Sequence, residues 1–191
     1  MYDIAIIGAG PAGATAALFA AKAGKKTVLV DDGKSVTKRA LMKNYYAIPE
    51  ITGPAMIEAG KQQVAAFGGE LVEATVSTLS GIDGGIRLQA GDRQIDAKHV
   101  VLATGMVASL AEASGIRTKP GTEPRVKTIV DVDSLGRTSV PGIWAAGTIA
   151  GASMHIVITA GEGAKVAINI LSELNGERYV DHDVLPAPAN A

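Results

Sequence analysis

The stretch "DIAIIGAGPAGATAALFAAKAGKKTVLVDDG", Asp3 to Gly33, reads as strand, glycine turn, helix and strand in succession. Tyr2–Ile7 reads as a buried parallel strand, a short apolar run stopped by Gly8. Pro11–Ala23 reads as an alanine-rich helix, with Pro11 in its first turn and Gly24 just past its end. Thr27–Asp31 is a second buried strand, so the three pieces make one βαβ unit. Gly8, Gly10 and Gly13 form G-x-G-x-x-G between the first strand and the helix. Gly8 permits the tight turn, Gly10 lets backbone approach a pyrophosphate, and Gly13 lets helix and strand pack closely. The helix N-terminus offers free N–H groups and the positive end of its dipole to phosphate. Asp31 closes the second strand, where a carboxylate accepts hydrogen bonds from ribose hydroxyls. This is a dinucleotide site by context, and the motif alone does not separate NAD from FAD.

Composition narrows the classes. At 191 residues with 47% hydrophobic and 19% charged residues, the chain fits one soluble globular domain, 1–176, followed by a C-terminal tail, 177–191. A net charge of −1 argues against a nucleic-acid footprint or a polybasic membrane surface. The absence of cysteine excludes disulfides, thiolate metal sites and a dithiol redox pair within the sequence. No basic segment precedes the apolar run Ile4–Ile7 and no stretch is long and apolar enough for a membrane helix, so a cytoplasmic protein without a leader is expected.

Further along, residues 32–53 read as irregular, with a basic run from Lys34 to Lys43. Pro54–Phe67 is expected to be a helix and Glu70–Leu79 a third strand of the same sheet. "GGIRLQAGDRQIDAKHVVLATG" alternates strand-like stretches with turns at Gly84-Gly85 and Gly91-Asp92, which reads as a β-meander ending in the buried run His99–Ala103. Residues 106–125 are expected to be a polar connector. Thr128–Val130 and Gly142–Ala145 read as short strands. A last helix is expected from near Thr159 to Asn175, with Ala160, Ala164, Ala167, Leu171 and Leu174 on one face. Pro186 and Pro188 mark a loosely held tail.

Four segments carry a resemblance. "HVVLATG" (His99–Gly105) resembles the strand-then-ATG motif of two-dinucleotide-binding flavoproteins. "RTSVPGIWAAGT" (Arg137–Thr148) resembles their T-S-x-P-G-[IV]-[FWY]-A-x-G-D segment, and "ITAGEGAKVAINI" (Ile158–Ile170) the helix that follows it. Lys43–Val76 resembles the thioredoxin reductase stretch that runs from N-Y-P-G through T-G into a helix and a short strand. The chain thus resembles the FAD domain of a thioredoxin reductase, which implies an α/β, Rossmann-like FAD-binding domain: a parallel sheet flanked by helices and a β-meander. The resemblance favours FAD over NAD. It implies Gly8, Gly10, Pro11, Ala12 and Gly13 at the pyrophosphate and Asp31 on the adenosine ribose, with Asp32 and Val76 flanking the adenine. It further implies Asn44 near the flavin, Thr104 and Gly105 beside the cofactor, and Gly147 and Thr148 on the ribityl side. Ile158 and Thr159 then open a helix aimed at the ring, whose dipole favours the charge of a reduced flavin, with His155 placed near the flavin.

The departures from that family matter as much. Its members insert an NADPH domain with a Cys-x-x-Cys pair between the ATG and T-S-x-P-G segments. Here the stretch 106–136 is far short of the roughly 100 residues such a domain needs. Thr148 stands where the family has aspartate, which implies weaker FAD retention, and His155-Ile156 stands where it has Arg-Gln. Two readings remain for His155, a titrating group at the flavin edge or a loop histidine. Two remain for Tyr45-Tyr46, flavin cover or packing. The basic run is expected to be a solvated loop face, and His99 and His182 structural or surface residues. No metal site and no catalytic residue is assigned. The leading expectation is an FAD-dependent oxidoreductase that takes electrons from diffusible NAD(P)H or a redox partner protein. The alternative is a non-catalytic FAD or dinucleotide-binding module working through a partner. A homodimer would cover the surface that the missing domain leaves bare.

Overall fold

The computed structural model describes residues 1–185. Pro186 and Pro188 of the expected tail lie outside the described residues. β1 (Tyr2–Ile7), α1 (Pro11–Lys22) and β2 (Thr27–Asp31) form the βαβ unit read from the sequence, with β1 and β2 parallel. A 3-10 turn (Val36–Arg39) and a two-residue hairpin, β3 (Leu41–Met42) with β4 (Ile51–Thr52), order part of the segment expected to be irregular. α2 (Gly53–Ala66) returns the chain to β5 (Glu70–Glu73), which lies parallel to β2.

The expected third strand, Glu70–Leu79, is two strands. β5 stops at Glu73, and β6 (Val76–Ile82) starts the antiparallel meander with β7 (Gly85–Ala90) and β8 (Arg93–Leu102). The hydrogen-bonded order is β5-β2-β1-β8-β7-β6, so two neighbouring pieces of sequence end on opposite edges of one sheet. Only a sheet that curls back on itself lets the two-residue link Ala74-Thr75 span those edges.

β8 does double service. Ala97 pairs with both Tyr2 and Ile86, and Val100 with both Ala5 and Ile143 of β11 (Ile143–Ala145). A strand has two edges, so β7 and β11 follow each other along the edge opposite β1. Glycines make the handover close: a Cβ on Gly85 would stand 2.5 Å from the Ala97 carbonyl oxygen, and one on Gly142 3.1 Å from that of Lys98.

The parallel sheet separates two cores. On one face Ala5, Ile7, Val28 and Val30 meet Leu79, Leu88 and Ile95 of the meander. On the other Ile4, Ile6 and Leu29 meet α1 and α4 (Ile156–Asn175). This period-2 alternation along β1 assigns each face. In α4 the expected face is inward, with Ala160, Ala167 and Leu171 buried beside Val166 and Ile170. Burying each of those larger aliphatic side chains contributes about 2 kcal/mol. The helix starts at Ile156, three residues before the expected Thr159.

The connector 106–125 contains a short helix, α3 (Ser109–Ala113), and a strand, β9 (Thr118–Pro120), which pairs antiparallel with β10 (Thr128–Val130). The loop 121–127 therefore joins β9 to β10, with no domain between Gly105 and Arg137. The first part of the tail is tied down: Asp181 and Asp183 lie 2.6 and 2.7 Å from the Lys22 ammonium, and the Tyr179 N–H donates to Ser172 Oγ. Among the described residues no helix is long and apolar enough to cross a membrane.

Candidate dinucleotide cleft

The site begins with the turn between β1 and α1. Gly8 holds φ +102°, a conformation that side chains rarely adopt, and a Cβ there would meet the Ala103 carbonyl oxygen at 2.5 Å. A Cβ on Gly13 would stand 1.7 Å from the carbonyl oxygen of Gly8, so this glycine is fixed by close packing under the turn and not by contact with the cleft. Above the turn opens a cleft of about 430 Å³. Gly8, Gly10, Pro11 and Ala12 line it together with Asp31, Asp32 and Val76. Thr104, Gly105, Thr148 and Thr159 line it further along. A smaller hollow of about 240 Å³ adjoins it, sharing Ala9, Pro11 and Ile156 and walled by Tyr45, Ile48 and Met56. Ligand sites of this kind run to several hundred Å³.

Two long helices start at this cleft, and neither N-terminus carries a side-chain cap. The N-cap of α1 is Gly10, that of α4 is His155, and no side chain accepts from either first turn. Orphan N–H groups and the positive dipole ends are thus left for something else to satisfy. Close packing brings the two together. Cβ atoms on Gly163 and Gly147 would stand 2.0 Å from the Ala12 carbonyl oxygen and 2.7 Å from Ala12 Cβ. Ala12 therefore lies clasped between them while it lines the cleft.

Asp31 is buried at the cleft wall. Its Oδ1 accepts from the Ala9 N–H at 3.2 Å and its Oδ2 from the Lys61 ammonium at 2.6 Å. Burial disfavours its ionised form, but the Lys61 ammonium and the N–H groups of Ala9 and Gly33 outweigh it and hold the carboxyl below its ordinary range. Asp32 is exposed and accepts from the Lys34 N–H at 3.0 Å. The basic run is largely solvated: Lys34, Lys38, Arg39 and Lys43 are all exposed.

Some sequence-selected residues stand elsewhere. Asn44 is exposed on the β3–β4 hairpin and lines neither hollow, whereas its neighbour Tyr45 lines the smaller one. Tyr46 is 89% exposed, which removes core packing for it. Gly147 packs beneath the cleft and does not line it. Ile158 turns outward and is 45% exposed. The earlier start of α4 explains this, since Ile156, Thr159 and Ala160 share one face at helical spacing and Ile158 falls off it. His155 is exposed, its Nδ1 2.8 Å from Ser153 Oγ. His99 is structural: its Nδ1 accepts from Trp144 Nε1 at 3.2 Å, and burial lowers its pKa. Among the described residues no cluster of His, Asp or Glu could hold a metal ion.

Sequence reasoning missed Ile156 and Lys61. Both carried a signal: Ile156 sits four residues before Ala160, and Lys61 sits between Ile57 and Val64, a lysine on the buried stripe of α2.

A family model described as pyridine nucleotide-disulphide oxidoreductase matches residues 2–126 and 71–164. The chain belongs to this family. Among related sequences, the thioredoxin reductase of Peptoclostridium acidaminophilum is 37% identical over 120 residues, 60% of this chain and 38% of that one. That of Peptoclostridium litorale is 36% identical over 125 residues, 63% and 40%. The chain thus spans about two fifths of the length of these curated relatives. Among solved structures, the atypical thioredoxin reductase of Desulfovibrio vulgaris Hildenborough superposes with a TM-score of 0.81 at 20% identity, over 93% of this chain and 99% of that one. A thioredoxin reductase from Gloeobacter violaceus gives 0.81 at 19%, over 96% and 99%. The fold is the Rossmann-like FAD domain of the pyridine nucleotide-disulphide oxidoreductases, without an inserted NADPH domain.

Proposed function

We propose that the cleft holds FAD and that the chain is the flavin-binding module of an oxidoreductase, taking electrons from diffusible NAD(P)H or from a redox partner protein. The observation that carries this reading is the convergence of two uncapped helix N-termini, α1 and α4, on one cleft. A ligand with one phosphate-bearing part and one part that becomes negative on reduction suits two such ends. Bound FAD supplies two-electron transfer. The backbone around Gly8–Ala12 would bind the diphosphate, and Asp31 would orient the adenosine ribose. The buried Thr148 hydroxyl would meet a ribityl hydroxyl with one hydrogen bond and no charge, so retention is weaker than a carboxylate there would give. Tyr45, Ile48 and Ile156 would keep water from the apolar end.

The test is the visible spectrum of protein incubated with FAD and separated from free ligand, before and after anaerobic NADH and NADPH. Flavin bands that bleach support the reading; no bands after incubation overturn it. A second reading, an FAD-binding module without turnover of its own, is favoured by the absence of cysteine from the sequence, which leaves no thiol pair to pass electrons on. Bands that persist with both nucleotides and bleach only with a strong chemical reductant select it.

A further inference from the structure

The Asp31–Lys61 pair has a consequence beyond the motif that supplies Asp31. A carboxylate at the end of β2 can receive ribose hydroxyls only while it is ionised and its free lone pairs face the cleft. Asp31 is buried, which by itself works against ionisation. Among the described residues, Lys61 is the one cation within ion-pair distance of it, at 2.6 Å. The lysine reaches there because α2 lies close to its neighbours. A Cβ on Gly60 would come 3.1 Å from Ala14 Cβ of α1, and one on Gly53 1.6 Å from the Thr37 carbonyl oxygen. With Oδ2 on Lys61, Oδ1 on the Ala9 N–H and the Gly33 N–H beside them, the carboxylate plane is fixed from two sides, and acceptor capacity remains for a ribose hydroxyl.

We propose that Lys61 is the positioning residue of the nucleotide end: it holds the Asp31 carboxylate ionised and oriented, so that the cleft takes an adenosine ribose with both hydroxyls free. The proposal rests on the dinucleotide reading of the cleft. The other charged groups around Asp31 do not replace the lysine. Glu73 lies in register on β5 and is acidic, Asp32 and Lys34 pair with one another, and Lys38 stands over Gly33.

Two measurements on Lys61→Met and Lys61→Arg test this. The first is the carboxyl titration of Asp31 by NMR in protein without ligand. Removal of the cation moves the midpoint to higher pH, and arginine leaves it low. The second is FAD affinity between pH 5.5 and 8. The native chain and Lys61→Arg give a flat profile, whereas Lys61→Met loses at least about tenfold at the acid end. A merely structural role for Lys61 predicts lower thermal stability with a flat affinity profile in Lys61→Met, and that result overturns the proposal. An unmoved Asp31 titration overturns it as well. A native chain that takes no FAD at any pH ends the flavin reading and the ribose role together, and the ligand-free titration still shows whether the pairing itself failed.

Discussion

Helices α1 and α2 open with the same dipeptide chemistry, Gly10-Pro11 in one and Gly53-Pro54 in the other, yet their first turns are finished differently. Thr52 caps α2 by accepting from the Ala55 N–H, and Gly53 is pressed against the Thr37 carbonyl oxygen. α2 is thus closed by its own chain. α1 begins at Gly10 and α4 at His155, neither with a side-chain cap, and both face an open cleft. A capped end is worth about 1 kcal/mol, so two uncapped ends at one place mark where the chain forgoes local stability for ligand contact.

Four experiments test the difference between closed and open helix ends. The largest effect is expected from Gly13→Val, because even a Cβ would stand 1.7 Å from the Gly8 carbonyl oxygen. It should cost about 3 kcal/mol or more in denaturant unfolding and abolish FAD binding; native-like FAD binding would mean that the turn is not the cradle. Next is Gly163→Ala, which forces α4 away from the Ala12 carbonyl oxygen, 2.0 Å from the added carbon. A loss of about 2 kcal/mol is expected together with weaker FAD binding, since both helix ends border the cleft. Thr52→Ala should cost about 1 kcal/mol while FAD affinity stays unchanged. A matching fall in affinity would erase the distinction between the closed and the open helix ends.

The smallest effect concerns pH. Burial lowers the pKa of His99 from its ordinary 6.5, so the unfolded chain binds the proton more readily than the folded one. Its contribution to stability is therefore complete above 6.5 and is lost progressively below it, as pH falls through the lower value that the folded chain gives His99. The melting temperature should drop between pH 7.5 and 5.5, and the drop should shrink in His99→Asn. An equal drop in both would assign the dependence to other groups.

Much of the cleft was legible because its determinants are local. A glycine turn between a strand and a helix depends on residues close in the chain, and so does a carboxylate at the end of the next strand. Gly8, Gly10 and Asp31, read from these rules, and Thr104 and Thr148, taken from the family resemblance, all line the cleft. Residues that depend on the angle or start of an element did not: Ile158 gave way to Ile156 once α4 began a turn earlier, and Asn44 lies on a hairpin that leaves it exposed. Lys61 was passed over because nothing in a helix sequence says that its one inward lysine meets a carboxylate from β2.

Local pattern and chain length sufficed for the βαβ unit, the inward face of α4 and the lack of room for a second nucleotide domain between Gly105 and Arg137. Glycine, proline and hydrophobic periodicity act within a few residues, and chain length needs no geometry. Long-range packing, by contrast, breaks Glu70–Leu79 at Ala74-Thr75 and sends its halves to opposite edges of the sheet. It also brings Gly163 of α4 against the Ala12 carbonyl oxygen in the first turn of α1. Strand pairing and helix contact are set by which distant surfaces bury each other, and no local pattern encodes the partner.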